Sequence, residues 1–122
     1  MADELKTGVE LVGAVAVCTL AGDLHRDTED EVRAAVSEAL GLLPQVLAVD
    51  LHGVELFTSS ALNALLQARE AASDRAVPVV LISPPGGVRR VLEVTGAAEL
   101  FAVCASVREA AGYARPPRSP GA

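Results

Sequence analysis

Apolar positions along this chain switch between a period of two and a period of about three and a half. Residues 9–20, VELVGAVAVCTL, form a Val- and Ala-rich run broken at Gly13, which predicts two short strands joined by a turn or one bulged strand. Gly22 and Asp23 then open a loop. From Asp27 the period lengthens: Val32, Val36, Leu40 and Leu43 recur at three- and four-residue steps, the signature of an amphipathic helix. Thr28 and Glu31 have capping-box spacing at its start, and Pro44 ends it.

Residues 46–51, VLAVDL, are a continuous apolar run of buried-strand type. His52 to Phe57 reads as a loop, followed by three hydroxyl residues, Thr58, Ser59 and Ser60. A second helix carries Leu62, Leu65, Leu66 and Arg69 on its turns. Residues 77–82, VPVVLI, predict another strand, with Pro78 near its start where a missing donor costs least. After Pro84-Pro85-Gly86, a third helix presents Val88, Val91, Leu92 and Thr95, and Gly96 is placed to end it with positive φ. Residues 100–103 predict a last short strand, and Ser106 with Glu109 has capping-box spacing for a final helix through Tyr113.

Strands alternating with helices imply βαβ crossovers, so the expected fold is a single small α/β domain with a mixed, largely parallel sheet and about four helices. Its expected extent is 9–113, after a leader segment at 1–8 and before a tail at 114–122 that lacks an apolar period and reads as disordered.

Composition narrows the function classes. The chain has 122 residues, 51% of them hydrophobic and 21% charged, enough for one core and too apolar for a disordered segment. Its longest apolar stretch, Leu11 to Gly22, falls short of the ~20 residues a spanning helix needs. Asp3 and Glu4 stand where a signal peptide would carry basic residues. A cytoplasmic protein without direct membrane insertion is therefore expected. The net charge of −6 offers nothing to a phosphate backbone, and Phe57, Phe101 and Tyr113 are the only aromatic residues, so no nucleic acid is expected as a partner. Cys18 and Cys104 lie in strand-like segments without a second ligand pair nearby, so they read as buried, inert thiols and no metal site or cofactor is expected.

In parallel α/β sheets, ligands and partners gather beyond the carboxyl ends of the strands. Three loops belong there: residues 22–25, residues 52–60 and residues 83–85. The middle one is richest. One of its three hydroxyls suffices to cap the following helix. The others are candidates for modification, because a phosphate at a helix N-terminus meets free N–H groups and the positive end of the dipole. A hydrolase with Ser59 as nucleophile, His52 or His25 as base, and Asp23 or Asp50 as orienter is the enzyme alternative. It lacks the G-x-S-x-G elbow. Gly86-Gly87 before Arg89 and Arg90 lacks the spacing and the Lys of a P-loop, so a helix-starting turn is the reading there.

Several segments together resemble a known family. Asp50-Leu51-His52-Gly53-Val54, Ser59-Ser60-Ala61-Leu62, residues 88–96 (VRRVLEVTG) and Glu99-Leu100-Phe101 are similar to motifs of the STAS domain family, in particular the stand-alone bacterial anti-sigma factor antagonists. The resemblance spans about residues 9–112. It implies a binding module without catalysis of its own, which binds an anti-sigma factor of histidine-kinase-like ATPase fold and thereby releases a sigma factor. It also implies switching: the partner kinase phosphorylates a serine, here Ser59 with Thr58 and Ser60 as alternatives, and a serine phosphatase reverses the change. The expected contact residues are Asp23, His25, His52, Glu55, Thr58, Ser59, Ser60, Leu62 and Asn63. The chain departs from the family's usual motif at four places. Thr58 stands for Asp, Ala61 for Gly, His52 for Ser or Thr, and His25 for an acid. STAS domains also serve as subunits of lipid-transport ATPases and as parts of anion transporters, which is the alternative role. An antagonist that binds constitutively without phosphate is a third.

Overall fold

The computed structural model describes residues 5–114, so residues 1–4 of the expected leader and residues 115–122 of the expected tail lie outside the described residues. Six strands and four helices follow in the order β1 (Lys6–Val12), β2 (Val15–Leu24), α1 (Glu29–Gly41), β3 (Val46–Asp50), β4 (Val54–Phe57), α2 (Ser59–Ser73), β5 (Val79–Ile82), α3 (Gly86–Thr95), β6 (Ala102–Cys104) and α4 (Val107–Ala111). The sheet runs β1-β2-β3-β5-β6, with β1 antiparallel to β2 and every other pair parallel. The small α/β domain with a mixed, largely parallel sheet and four helices is therefore the observed fold.

Strand alternation sorts the apolar residues into two layers. Ala16, Cys18 and Leu20 of β2, Leu47 and Val49 of β3, and Leu81 of β5 point into the larger core, which α1, α2 and α3 cover with Val32, Leu40, Leu65, Val88 and Leu92. The intervening residues Val15, Val17, Val46, Ala48, Val80 and Ile82 point to the other face, where Ala110 of the short α4 joins them. The central strands are thus buried on both sides, which explains why they read as unbroken apolar runs.

Several local expectations need correction. Gly13, at φ 60, turns the chain between two strands, but the first begins at Lys6 and not at Val9. The loop expected at Gly22 and Asp23 is the carboxyl half of β2, and the loop expected at residues 52–57 contains β4. The two segments form one another: β2 outruns β3, and its overhang pairs Asp23 with Leu56 and Leu24 with Phe57 across a bulge at Gly22. The Thr28–Glu31 capping box does not form. Thr28 caps no amide of α1; its hydroxyl donates to the Asp23 carbonyl (3.0 Å) and accepts from the His25 amide (3.0 Å), closing a 3₁₀ turn before the helix. Residues 97–100 form another 3₁₀ turn, so β6 starts at Ala102. Gly96 ends α3 at φ 80, as expected, and the Ser106 hydroxyl accepts from the Glu109 amide (3.1 Å). The last helix stops at Ala111, short of Tyr113. Cys18 is buried, whereas Cys104 is only half-buried.

Candidate functional site

Residues 22–25 and 52–60 converge because the end of β2 pairs with β4. The Gly22 amide donates to the Gly53 carbonyl at 2.8 Å, bringing the turn that carries His52 against β2. That approach requires a glycine: a Cβ on Gly53 would stand 2.8 Å from Cβ of Ala21. Asp50 shapes the same turn, its Oδ1 accepting the His52 amide at 3.0 Å. The next two steps along β2 set Asp23 beside Leu56 and Leu24 beside Phe57, so the entry to α2 lies against the strand end.

Thr58 fastens that entry twice. Its amide (3.2 Å) and its hydroxyl (3.3 Å) both donate to the Leu24 carbonyl, and the same hydroxyl oxygen accepts the Ala61 amide at 3.5 Å as the cap of α2. One threonine hydroxyl therefore joins strand, loop and helix. Ser59 follows as the first residue of α2 and is exposed, and its hydroxyl makes no hydrogen bond among the described residues. Ser60 is half-buried. The helix N-terminus carries no acidic side chain in its first turn, and the amides of its first three residues precede the first intrahelical bond, from Leu62 to the Thr58 carbonyl (3.0 Å), with that of Ala61 capped by Thr58. An anion at Ser59 would meet the positive end of the helix dipole.

The other expected contact residues divide by burial. His52 and Glu55 are exposed, and Asp23 and His25 are half-buried. Nδ1 of His25 accepts the Asp27 amide at 3.1 Å, which caps the 3₁₀ turn. Asn63 is exposed and donates to Glu29 Oε1 at 3.5 Å, and Glu29 in turn pairs with Arg33 at 2.8 Å. Leu62 is the exception. At 7% exposed it belongs to the core and supports α2 from beneath, so it offers no contact surface. The sequence reading missed the tether from Thr58 to Leu24 and the pair Ala21–Gly53, because both join residues more than thirty positions apart.

The triad of the enzyme alternative lacks its geometry. Nucleophilic serine chemistry needs a base hydrogen-bonded to the hydroxyl. Here Nδ1 of His25 is taken by Asp27, Asp50 orients a backbone amide, and Ser59 bonds to neither histidine. No group of three or more His, Cys, Asp or Glu among the described residues could hold a metal ion. No helix among them is long and apolar enough to cross a membrane. The third loop is separate in construction: Ser83 sits at φ 47, its amide donating to the Cys104 carbonyl (2.9 Å), and Arg89 folds back to the Pro84 carbonyl (3.1 Å).

Comparison with known proteins agrees with this architecture. The family model described as "Mlab, STAS domain" matches residues 7–103. No protein of curated function matches the sequence. Among solved structures, an anti-sigma factor antagonist from Mycobacterium paratuberculosis is similar with a TM-score of 0.77 at 24% identity, over 93% of this chain and 97% of that one. The Bacillus cell fate determinant SpoIIAA in its phosphorylated form is similar with a TM-score of 0.68 at 20% identity, over 90% of this chain and all (100%) of that one. The murine anion transporter Slc26a9 contains a similar region, with a TM-score of 0.74 at 18% identity, covering 86% of this chain and 18% of the transporter.

Proposed function

The chain belongs to the STAS domain family, and within it we propose the role of an anti-sigma factor antagonist, a cytoplasmic regulator of transcription switched by phosphorylation at Ser59. The observation that carries this reading is a division of labour between adjacent hydroxyls. Thr58 is committed to capping and tethering, while Ser59 is exposed with its hydroxyl unused. The similarity to anti-sigma factor antagonists of nearly the same length supports it. The partner would be an anti-sigma factor with a histidine-kinase-like ATPase fold, docking on the Ser59 loop and the exposed side of α2, and a serine phosphatase would reset the switch. Asp23, His25, His52, Glu55, Ser60 and Asn63 would surround the contact, with Thr58 holding its shape. The module would regulate by binding, without catalysis.

A phosphate is large enough for such a switch. It adds about −1.5 to −2 charges. Two charges against one carboxylate at about 8 Å cost roughly 1–4 kcal/mol for an effective dielectric of 80 down to 20. That corresponds to roughly one to three decades in affinity.

The test is a parallel capture from host lysate with wild type, Ser59→Ala and Ser59→Asp, with partners identified by mass spectrometry. A kinase-fold anti-sigma factor retained by Ser59→Ala and lost by Ser59→Asp is the expected result. The same partner held equally by all three would remove the switch and leave a constitutive antagonist. A second reading, a STAS subunit of a transporter, is favoured by the similarity to a region of an anion transporter. Capture of a transporter ATPase regardless of the residue at 59 would establish it in place of the first.

A further inference from the structure

Strand β1 closes the sheet on one side, and its outer edge is the longest stretch of unpaired strand backbone among the described residues, seven residues from Lys6 to Val12. Exposed edges invite pairing, and proteins commonly blunt them with charge. A protective edge works by repulsion between like charges. This edge carries one charge of each sign, Lys6 and Glu10, placed symmetrically about Gly8. Reversed and laid against itself, the segment is complementary.

The geometry points to β1 as a homodimer interface, in which the edges of two copies pair antiparallel about a two-fold axis through Gly8. This register sets Lys6 opposite Glu10 of the second copy and Thr7 opposite its Val9, and by symmetry each pair occurs twice. Paired residues then share parity, so the outward-pointing amides and carbonyls of one strand meet those of the other and the ladder is continuous. Lys6, Gly8 and Glu10 pair with Ala21, Thr19 and Val17 of β2, which places both ion pairs on one face of the joined sheet. Gly8, between them, leaves the closest approach free of a side chain. On the opposite face, Leu11, 48% exposed, comes opposite Leu5 of the second copy. A slide that centres the axis on Val9 instead sets Lys6 against Val12 and Glu10 against Gly8, and both direct ion pairs are lost.

The helix side permits the approach. A groove of about 340 Å³ runs between β1 and α1, lined by Thr7, Val9, Ala34 and Ala35 together with Glu31 and Glu38. The two-fold axis stands across the sheet, so both copies present this groove on the same face. Each copy brings Glu31 and Glu38 to that side, and like charges gathered there would keep the dimer weak and concentration-dependent. β1 contributes none of the residues of the Ser59 loop, so the interface is independent of the proposed switch.

Sedimentation velocity of the full chain, from micromolar to millimolar concentration, tests the proposal. Wild type should pass from monomer to dimer. Lys6→Glu turns both cross-strand attractions into repulsions and should weaken the dimer at least about tenfold. The double variant Lys6→Glu/Glu10→Lys restores opposite charges and should recover it, which separates the charge effect from any loss of folding. Wild type monomeric throughout, Lys6→Glu dimerising as wild type does, or no recovery in the double variant would each overturn the interface. The register is read by oxidation in a Cys104→Ser background. Gly8→Cys, whose Cβ would meet only Cβ of Thr19 at 3.9 Å, should form a disulfide-linked dimer, and Val9→Cys should not. Cross-linking at Val9 alone would overturn the axis through Gly8.

Discussion

Replacing Gly53 by alanine should destabilise the protein and disturb the Ser59 loop, although it adds only one methyl group at an exposed position. The new Cβ would lie 2.8 Å from Cβ and 3.5 Å from Cα of Ala21. Carbon atoms in ordinary contact keep about 3.5–4.0 Å apart. Cβ of Ala21 is fixed to the backbone and has no rotamer to escape into. Relief must come from parting the two chains, against the 2.8 Å bond from the Gly22 amide to the Gly53 carbonyl. Overpacking of this kind costs about 1–3 kcal/mol. Gly53 has no positive φ, so alanine also gains about 0.4–1 kcal/mol through the unfolded chain. The expected net loss is about 1–2 kcal/mol, read as a lower urea midpoint at unchanged slope.

A double-mutant cycle tests the cause. Ala21→Gly alone should cost about 0.5–1 kcal/mol, the ordinary penalty of glycine in a strand. Because it removes the atom that Gly53→Ala would strike, the double variant should be more stable than Gly53→Ala by itself. The two changes should couple by at least about 1 kcal/mol. Capture of the partner should fall in the single variant and recover in the double, since β4 carries the approach to Thr58. Gly53→Ala at wild-type stability, or two effects that simply add, would refute the close approach on which this part of the site is built.

Thr58→Ala removes a cap and a tether together and should cost about 1–2 kcal/mol, while Thr58→Ser keeps both bonds and most of the stability; equal losses in urea unfolding would contradict the hydroxyl's role. Burial, with a smaller push from Glu38, raises the Cys18 thiol from its ordinary 9.0 to about 12. The unfolded chain therefore ionises first, and the contribution of Cys18 is complete below about pH 9 and lost progressively as the pH rises toward 12, at no more than about 1.4 kcal/mol per pH unit. Unfolding measured from pH 7 upward should show a steeper alkaline decline in wild type than in Cys18→Ala, and parallel curves would count against it.

The elements that the sequence made legible are those whose pattern is local. Helix α3 announced itself by Val88 and Leu92 one turn apart and by Gly96 at its end, and β3 by an apolar run buried on both faces. Strand β4 did not. Val54 is 6% exposed and Leu56 45%, with Glu55 exposed between them, so the segment shows no alternation of its own. It is a strand because β2 extends past β3 and offers it an edge, a fact that lies thirty residues away. Thr28 failed for a related reason. The spacing to Glu31 fitted a capping box, but the hydroxyl found nearer partners in the turn that His25 begins. At the candidate site, the three hydroxyls before α2 were legible as a group, whereas the burial of the residues that follow them was not. Leu62 and Asn63 both lie within about a turn of Ser59, but as neighbours on a helix of about 3.6 residues per turn they stand about 100° apart, so one meets the core and the other is exposed.

Thr58 is where sequence and structure inform each other most. The motif that this chain resembles has Asp at that position, and an aspartate would serve equally well as a helix cap, since capping needs only an acceptor. What an ionised aspartate cannot do is donate. In this chain the Leu24 carbonyl receives two bonds from Thr58, one from the amide and one from the hydroxyl, and the second exists only because the residue is a hydroxyl donor. The substitution therefore removes a negative charge from beside Ser59 and fixes the loop to β2 in its place. The first turn of α2 carries no acid of its own, so a phosphate on Ser59 would be the negative charge that this turn acquires. In the proposed switch, the Ser59 loop starts without an acid in the first turn of α2 and is held in one conformation. Its two states then differ chiefly by the charge of the phosphate, because the Thr58 tether limits rearrangement of the backbone that carries it.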